Sequence, residues 1–281
     1  MNLSDKRTIE TVLKKHGFSF KKSLGQNFLI NPDVCPQMAE AACDKNMGVL
    51  EIGPGIGVLT KELSQTAKKV VAIELDERLK TVLPETLADC DNVEVIYGDA
   101  MKLDLHAIIK EKFADCEGVC VCANLPYYIT SPIVMMLLES KLPIHNITVM
   151  VQKEAAERLC ATVGSRESGA VTVAVNYYAK AEILFEVDRY SFMPAPNVDS
   201  AVIKLNIRQT PEIKLNDEKK FFTLIKSGFA QRRKTLVNTI SNTTNYSKEQ
   251  LREALKKIGL SETVRTEQLT MQELADLSNN L

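Results

Sequence analysis

One tetrapeptide of this 281-residue chain, Asn124–Tyr127 (Asn-Leu-Pro-Tyr), combines residue types suited to chemistry on an exocyclic aromatic amine. The nitrogen of such an amine is a poor nucleophile because its lone pair is delocalised into the ring. The Asn124 side-chain oxygen and the Leu125 carbonyl can accept the two amine hydrogens, and Pro126 fixes the backbone in an extended form. Tyr127 can stack on the base. We therefore predict that these four residues are catalytic, through positioning rather than strong base catalysis.

A glycine-rich turn, Gly53-Pro54-Gly55-Ile56-Gly57, precedes this tetrapeptide and follows an apolar run typical of a strand. Its G-x-G-x-G spacing differs from the G-x-G-x-x-G of dinucleotide sites, and an acid stands two residues before the first glycine. This pattern favours S-adenosylmethionine, which has no pyrophosphate to bind. Gly53 and Gly55 are predicted to let the cofactor lie against bare backbone.

Two carboxylates follow the next two predicted strands. Glu74 ends the second strand, and we expect it to be an exposed strand-tip residue that accepts hydrogen bonds from both ribose hydroxyls of the cofactor. Asp99 ends the third strand, where it could accept a hydrogen bond from the cofactor's adenine amine. Asn124, at the end of the fourth strand, is also predicted to contact the cofactor.

The elements that position these residues alternate between β-branched runs and segments of helical period. This alternation predicts an α/β fold, a seven-stranded Rossmann-like methyltransferase sheet with helices on both faces, followed by a small all-helical C-terminal domain. The predicted strands are 49–52, 69–75, 93–97, 119–123, 148–151, 183–187 and 201–207. The predicted helices are 58–65, 77–87, 132–141, 217–228, 232–240, 248–258 and 271–277. We place the domain boundary at residue 210, giving a catalytic domain over 1–210 and a helical domain over 211–281.

Composition excludes several classes of protein. The net charge is −1, yet residues 219–248 carry seven Lys or Arg and no acid, a distribution typical of a nucleic-acid surface. No apolar run is long enough to cross a membrane, and the first residues lack the pattern of a signal peptide, so we expect a cytoplasmic protein without a membrane partner. Neither the seven cysteines nor the three histidines have metal-ligand spacing. We expect reduced thiols and no metal.

Asn124–Tyr127 resembles the motif of adenine-N6 methyltransferases, and further segments resemble the ribosomal RNA adenine dimethyltransferases. This family includes the small-subunit (16S rRNA) enzymes whose loss gives kasugamycin resistance. The matching segments are Lys22–Leu29, the glycine turn, Phe192–Val202 and Phe229–Leu236. The resemblance covers about residues 18 to 275.

The resemblance implies roles for residues that spacing alone does not assign. Asn27 and Leu29 would contact the methionine portion of the cofactor, within an N-terminal segment (1–30) that covers it. Phe192 would hold the target adenine against Tyr127; alternatively, it only packs in a proline-rich turn. The predicted RNA-binding residues are Lys22, Lys226, Arg232, Arg233 and Lys234.

The implied reaction is dimethylation of two adjacent adenosines in a hairpin loop near the 3′ end of 16S ribosomal RNA, within the small subunit or its precursor, by a monomer. A loop suits such a pocket because extruding a base costs less there. Two alternatives remain open at this point. One is the same chemistry on large-subunit RNA, and the other is a non-catalytic ribosome-assembly or transcription factor that kept the fold.

Overall fold

The computed structural model describes residues 1–18 and 27–281. Within them the chain forms two compact units. The first comprises Met1–Ala156 and Ala181–Ile207, and the second comprises Glu157–Lys180 and Arg208–Leu281. The division differs from the expected boundary at residue 210 because Glu157–Lys180 joins the C-terminal helices.

Nine strands lie in the described part of the chain. Their bounds are β1 Phe28–Leu29, β2 Gly48–Ile52, β3 Lys69–Glu74, β4 Val93–Tyr97, β5 Val119–Asn124, β6 Asn146–Gln152, β7 Ala179–Val187, β8 Phe192–Met193 and β9 Ser200–Ile207. Seven of them form one sheet in the order β4-β3-β2-β5-β6-β9-β7, and β1 pairs with β8. The predicted seven-stranded sheet is therefore confirmed.

The sheet is parallel from β4 to β6, and β9 runs antiparallel to β6. Helices lie on both faces. Such strands are buried on both sides, which explains why β2 and β5 read as nearly continuous apolar runs. The carboxyl ends of β2, β3, β4 and β5 meet at one edge of the sheet.

The helices of the described chain have the following bounds: α1 Lys6–Lys15, α2 Val34–Ala42, α3 Val58–Thr66, α4 Leu83–Thr86, α5 Leu105–Lys112, α6 Thr130–Glu139, α7 Lys153–Leu159, α8 Ala170–Tyr178, α9 Glu218–Gly228, α10 Leu236–Thr243, α11 Lys248–Lys257 and α12 Met271–Asn280. Short 3₁₀ turns cover 77–81, 127–129, 189–191, 229–231 and 266–268. None of the described helices is both long enough and apolar enough to cross a membrane.

Two predicted helices differ from the structure. The expected helix over 77–87 is a 3₁₀ turn followed by α4, because Pro84 has no N–H for the helical ladder and its ring crowds the preceding turn. The expected helix over 232–240 begins only at Leu236, since the Thr235 side chain accepts a hydrogen bond from the Asn238 N–H and caps the helix there. The basic residues at 232–234 therefore lie in a turn.

Four aromatic rings explain why residues before β7 belong to the second unit. Tyr178 stacks on Phe222 with ring centroids 5.4 Å apart, and Tyr177 meets the same ring edge-on at 5.4 Å. Phe221 packs beside them and is fully buried. The Tyr178 hydroxyl also donates a hydrogen bond to Glu218 at 2.6 Å. This cluster joins α8 to α9.

Candidate active site

A cavity of about 260 Å³ opens at the carboxyl edge of the sheet, within the first unit. Every residue predicted to bind the cofactor or to act in catalysis lines it. These residues are Asn27, Leu29, Gly53, Gly55, Glu74, Asp99, Asn124, Leu125, Pro126, Tyr127 and Phe192. Five separate segments of the chain thus contribute to one site.

The glycine turn joins β2 to α3 in a left-handed backbone conformation. Gly53 has φ +74°, Gly55 has φ +58°, and Gly57, which caps α3, has φ +91°. Residues with a Cβ rarely adopt such angles, so glycine is required at these positions. No atom lies within 4 Å of the place where a Gly53 Cβ would stand, which leaves its backbone bare toward the cavity.

Glu74 is buried rather than exposed, contrary to the sequence prediction, with 6% of its surface accessible. One carboxylate oxygen accepts a hydrogen bond from the Gly55 N–H at 3.1 Å, and the other accepts from the Asp76 N–H at 2.7 Å. Burial raises the pKa of Glu74, and these two hydrogen bonds oppose the rise. The side chain therefore fixes the glycine turn to the end of β3 as well as facing the cavity.

Glu51 is a second buried acid at this cavity, and the sequence analysis assigned it no role. Its side chain is 1% exposed, and Oε2 has no hydrogen-bond partner among the described residues. Burial raises the pKa of Glu51 to about 8, and the nearby Glu74 adds to the rise. The signal that could have identified it is the acid two residues before the first glycine. A buried carboxyl with an unused oxygen at a cavity is suited to a cationic ligand group.

Asp99 follows β4 and is partly exposed at the cavity. One of its oxygens accepts a hydrogen bond from the Met101 N–H at 3.0 Å, and the other lies 3.3 Å from the Lys102 ammonium. Leu75 and Met101 are apolar side chains that line the same cavity while remaining about half exposed. The sequence analysis named neither of them. Together they give this end of the cavity apolar walls beside a carboxylate.

The tetrapeptide begins at the last residue of β5. Asn124 is half-buried, and Leu125 is buried, with its N–H donating to the Met150 carbonyl at 3.3 Å. Pro126 leads into the 3₁₀ turn that starts at Tyr127. The Tyr127 hydroxyl lies 2.8 Å from the hydroxyl of Ser200, which is fully buried at the start of β9. Tyr127 is thus held at its far end by a residue that the sequence analysis did not name.

Phe192 lies in β8 with only 4% of its surface exposed, opposite Leu29 of β1. It belongs to the apolar core while also lining the cavity. The ring therefore presents little surface to a base, whereas Tyr128, at the same cavity, is 56% exposed. The β1–β8 pairing holds Asn27 and Leu29 beside the glycine turn, where the Phe28 ring stands 3.3 Å from the Cβ position of Gly55.

The predicted RNA-binding residues have different surroundings. In the second unit, the Arg232 guanidinium lies 3.3 Å from the Glu267 carboxylate and donates to the Arg166 carbonyl at 2.5 Å. Its donors are thus engaged within the protein. Arg233 and Lys234 are exposed, as is Lys226 in α9. The remaining prediction, Lys22, lies outside the described residues.

No group of three or more His, Cys, Asp or Glu side chains among the described residues is arranged to hold a metal ion. The seven cysteines are free thiols, and burial raises the pKa of the Cys43 thiol to about 12. Thiol chemistry at neutral pH therefore requires a group that is almost wholly protonated here.

The chain matches the family model described as Ribosomal RNA adenine dimethylase over residues 17–281. It is 49% identical to a Geobacillus thermodenitrificans protein named Ribosomal RNA small subunit methyltransferase A, over 96% of this chain and 94% of that protein. A Bacillus pumilus protein of the same name is 47% identical over the same shares.

Two solved structures are also similar. One is a dimethyladenosine transferase from Plasmodium falciparum, with a TM-score of 0.73 and 28% identity over 89% of this chain and 95% of that one. The other is the 23S rRNA methyltransferase ErmE, with a TM-score of 0.67 and 26% identity over 91% of this chain and 99% of that one. Both likenesses extend over the catalytic fold and most of the C-terminal helices.

Proposed function

Because the chain belongs to the ribosomal RNA adenine dimethylase family, we propose that it dimethylates the N6 amines of two adjacent adenosines in 16S ribosomal RNA, using S-adenosylmethionine. The target is a hairpin loop near the 3′ end of this RNA, in the small subunit or its precursor. The observation that carries the proposal is the single cavity in which the glycine turn and three strand ends meet Asn124–Tyr127. The names of the relatives from Geobacillus and Bacillus support the small subunit as the substrate.

The residues at the cavity fit S-adenosylmethionine, whose sulfonium supplies an activated methyl group when it is bound. The bare backbone of Gly53 gives room for close approach, and the unused oxygen of Glu51 is suited to the ammonium of the methionine portion. At the other end, Leu75 and Met101 offer apolar faces to an adenine, and Asp99 offers an acceptor for its amine. The donor set and shape thus match both ends of this cofactor.

Glu74 can still bind the ribose although it is buried. A carboxylate has about four lone-pair sites, and the Gly55 and Asp76 N–H groups use two of them. The remaining sites can accept the ribose hydroxyls. Because the same side chain fixes the glycine turn, Glu74 both shapes the cofactor site and contributes to it.

Asn124 and Leu125 would orient the target amine. Their oxygens accept its two hydrogens, so the nitrogen lone pair is directed out of the ring plane toward the methyl donor. A neutral amide suits the second transfer as well, because one amine hydrogen remains after the first methylation and can still be held. The amine becomes acidic only as the new bond forms, so no strong base is required.

Tyr127 would stack on the flipped adenine. Its hydroxyl contact with Ser200 fixes the long axis of the ring, so the face offered to the base is preorganised. Phe192 supports the same wall from the core side. Base–aromatic stacking is typically worth about 1–3 kcal/mol per base, which offsets much of the cost of extruding the adenine.

The second unit supplies the proposed RNA surface. Arg233, Lys234 and Lys226 are the exposed cations of the acid-free segment that we assign to phosphate contacts. Arg232 is assigned instead to holding its own turn, since it already pairs with Glu267.

A second candidate function, methylation of large-subunit RNA, is favoured by the similarity to ErmE. Incubating the protein with labelled S-adenosylmethionine and separately purified subunits from cells lacking the enzyme distinguishes the two. We expect label in small-subunit RNA, recovered as dimethyladenosine, with Asn124→Ala as the control of low activity. Label confined to large-subunit RNA would reverse the assignment, and no label in either would refute the proposed function.

A further inference from the structure

Tyr190 is the most exposed of the large apolar and aromatic side chains in the described part of the chain, with 70% of its surface accessible. It lies in the 3₁₀ turn Arg189–Ser191, immediately before β8. The guanidinium carbon of Arg189 stands 5.2 Å from the centre of its ring. This separation is within cation–π range, so one ring face is associated with a positive charge while the rest meets solvent.

The backbone of this turn is held from two sides. The Tyr190 N–H donates to the Asp188 carboxylate at 2.7 Å, and the Arg189 N–H donates to the Asp199 carboxylate at 3.1 Å. The Arg189 guanidinium also donates to the Asn197 carbonyl at 3.3 Å. The two nearby acids therefore satisfy backbone groups, and the exposed ring is presented on a fixed turn.

The turn is also fixed to the N-terminal wall of the cavity. The Ser191 carbonyl accepts hydrogen bonds from the Ile30 N–H at 2.8 Å and from the Asn31 N–H at 3.3 Å. Phe192, which lines the cavity, is only two residues from Tyr190, so their Cα atoms are at most about 7 Å apart. The Tyr190 ring thus stands just outside the wall of the cavity that is proposed to receive the target adenine.

We propose that Arg189 and Tyr190 form a stacking platform for the nucleotide next to the adenosine in the cavity. Single-stranded RNA is bound by exposed aromatic rings that stack on splayed bases and by cations that contact phosphates, and this pair supplies both on one rigid turn. RNA is favoured over a protein partner because the exposed ring carries an adjacent cation, which complements a phosphate backbone. When one adenosine of an adjacent pair enters the cavity, its neighbour is the base within reach of Tyr190.

This inference rests on the proposed function and names a further contact of its substrate. Its test compares three variants of the full chain: Tyr190→Ala, Tyr190→Phe, and Ile183→Ala as a matched exposed apolar residue on β7. The first probe is a hairpin RNA with two adjacent adenosines in the loop, one of them replaced by fluorescent 2-aminopurine. The second probe is unmethylated small subunit in the methyl-transfer assay.

We expect Tyr190→Ala to weaken hairpin binding by about 5- to 150-fold, to lose the fluorescence quenching caused by stacking, and to raise KM more than it lowers kcat. Tyr190→Phe should restore all three readouts, because it keeps the ring. Affinity for S-adenosylhomocysteine should not change in either variant.

Equal hairpin affinity and equal quenching for Tyr190→Ala and the parent chain would overturn the platform. So would an equal loss in Ile183→Ala, since the effect would then not be specific to the ring. These outcomes differ from failure of the proposed function, in which the parent chain itself transfers no methyl group to the small subunit.

Discussion

Replacing Glu51 with Gln tests the electrostatics of the cofactor site most directly. The substitution keeps the shape of a side chain that is almost fully buried and removes its ability to ionise. Because burial raises the pKa of Glu51 to about 8, the carboxyl is mostly protonated in the protein at pH 7. A cofactor ammonium placed against Oε2 would favour the carboxylate, so cofactor binding should release the proton.

The size of this effect follows from the pKa. At pH 7 a group with a pKa near 8 is about 90% protonated, so binding should release about 0.9 proton if the carboxylate is ionised in the complex. The apparent affinity should then rise by nearly tenfold per pH unit between about pH 6 and 7.5. Glu51→Gln should bind with almost no proton release and with a flat pH dependence.

Protein stability gives a second readout with a definite sign. The folded-state pKa lies above the unfolded value of 4.5, so the folded protein binds more protons between about pH 4.5 and 8. Stability is therefore lost as pH rises through this window, amounting to about 3 kcal/mol at pH 7, and Glu51→Gln removes this loss. Urea denaturation of both proteins at pH 5 and pH 7.5 should show a difference in unfolding free energy that grows with pH in favour of the variant.

Calorimetric titration with S-adenosylhomocysteine in buffers of different ionisation enthalpy measures the released protons. If the parent chain releases no more protons than Glu51→Gln, the carboxyl does not meet the ligand cation. A pH-independent stability difference would show, separately, that the pKa of Glu51 is not raised by burial.

Three further predictions concern the rest of the site. Asn124→Ala should lose about 2–4 kcal/mol of transition-state stabilisation, and a near-normal single-turnover rate with saturating cofactor and RNA would refute its orienting role. Glu74→Ala should weaken S-adenosylhomocysteine binding and also lower unfolding stability, by about 1–3 kcal/mol for each backbone N–H left unsatisfied, as measured by calorimetry and urea denaturation. The double change Arg233→Ala with Lys234→Ala should reduce the salt dependence of subunit binding by about 0.9 per lost phosphate contact on duplex RNA, whereas Arg232→Ala should mainly lower stability; equal salt slopes for the double variant and the parent would place the RNA surface elsewhere.

Features that depend on neighbouring residues were predictable from the sequence. The glycine turn, the strand-end acids and Asn124–Tyr127 all lie at the predicted edge, because the carboxyl ends of parallel strands meet there whatever the connecting helices are. The α/β class followed from the same alternation of strands and helices.

Features that depend on distant residues were not predictable. The burial of Glu74 arises from hydrogen bonds to Gly55 and to Asp76, and only the second partner is a close neighbour in the chain. Arg232 was assigned to RNA because no acid lies within the surrounding segment, yet its partner Glu267 is 35 residues away. Charge patterning along a sequence cannot show such pairings, since it counts charges without placing them in space.

The direction of β9 explains why Ser200 was missed. Sequence reasoning searched for site residues at the carboxyl ends of strands, which is correct for a parallel sheet. Because β9 runs antiparallel to β6 and pairs Ser200 with Gln152, it is the first residue of β9 that reaches the edge where Tyr127 lies. The same reversal brings the preceding turn, with Tyr190 and Phe192, to the cavity. A single antiparallel strand therefore carries the segment that completes the proposed base-binding side of the site, opposite in chain direction to the strands that form the cofactor side.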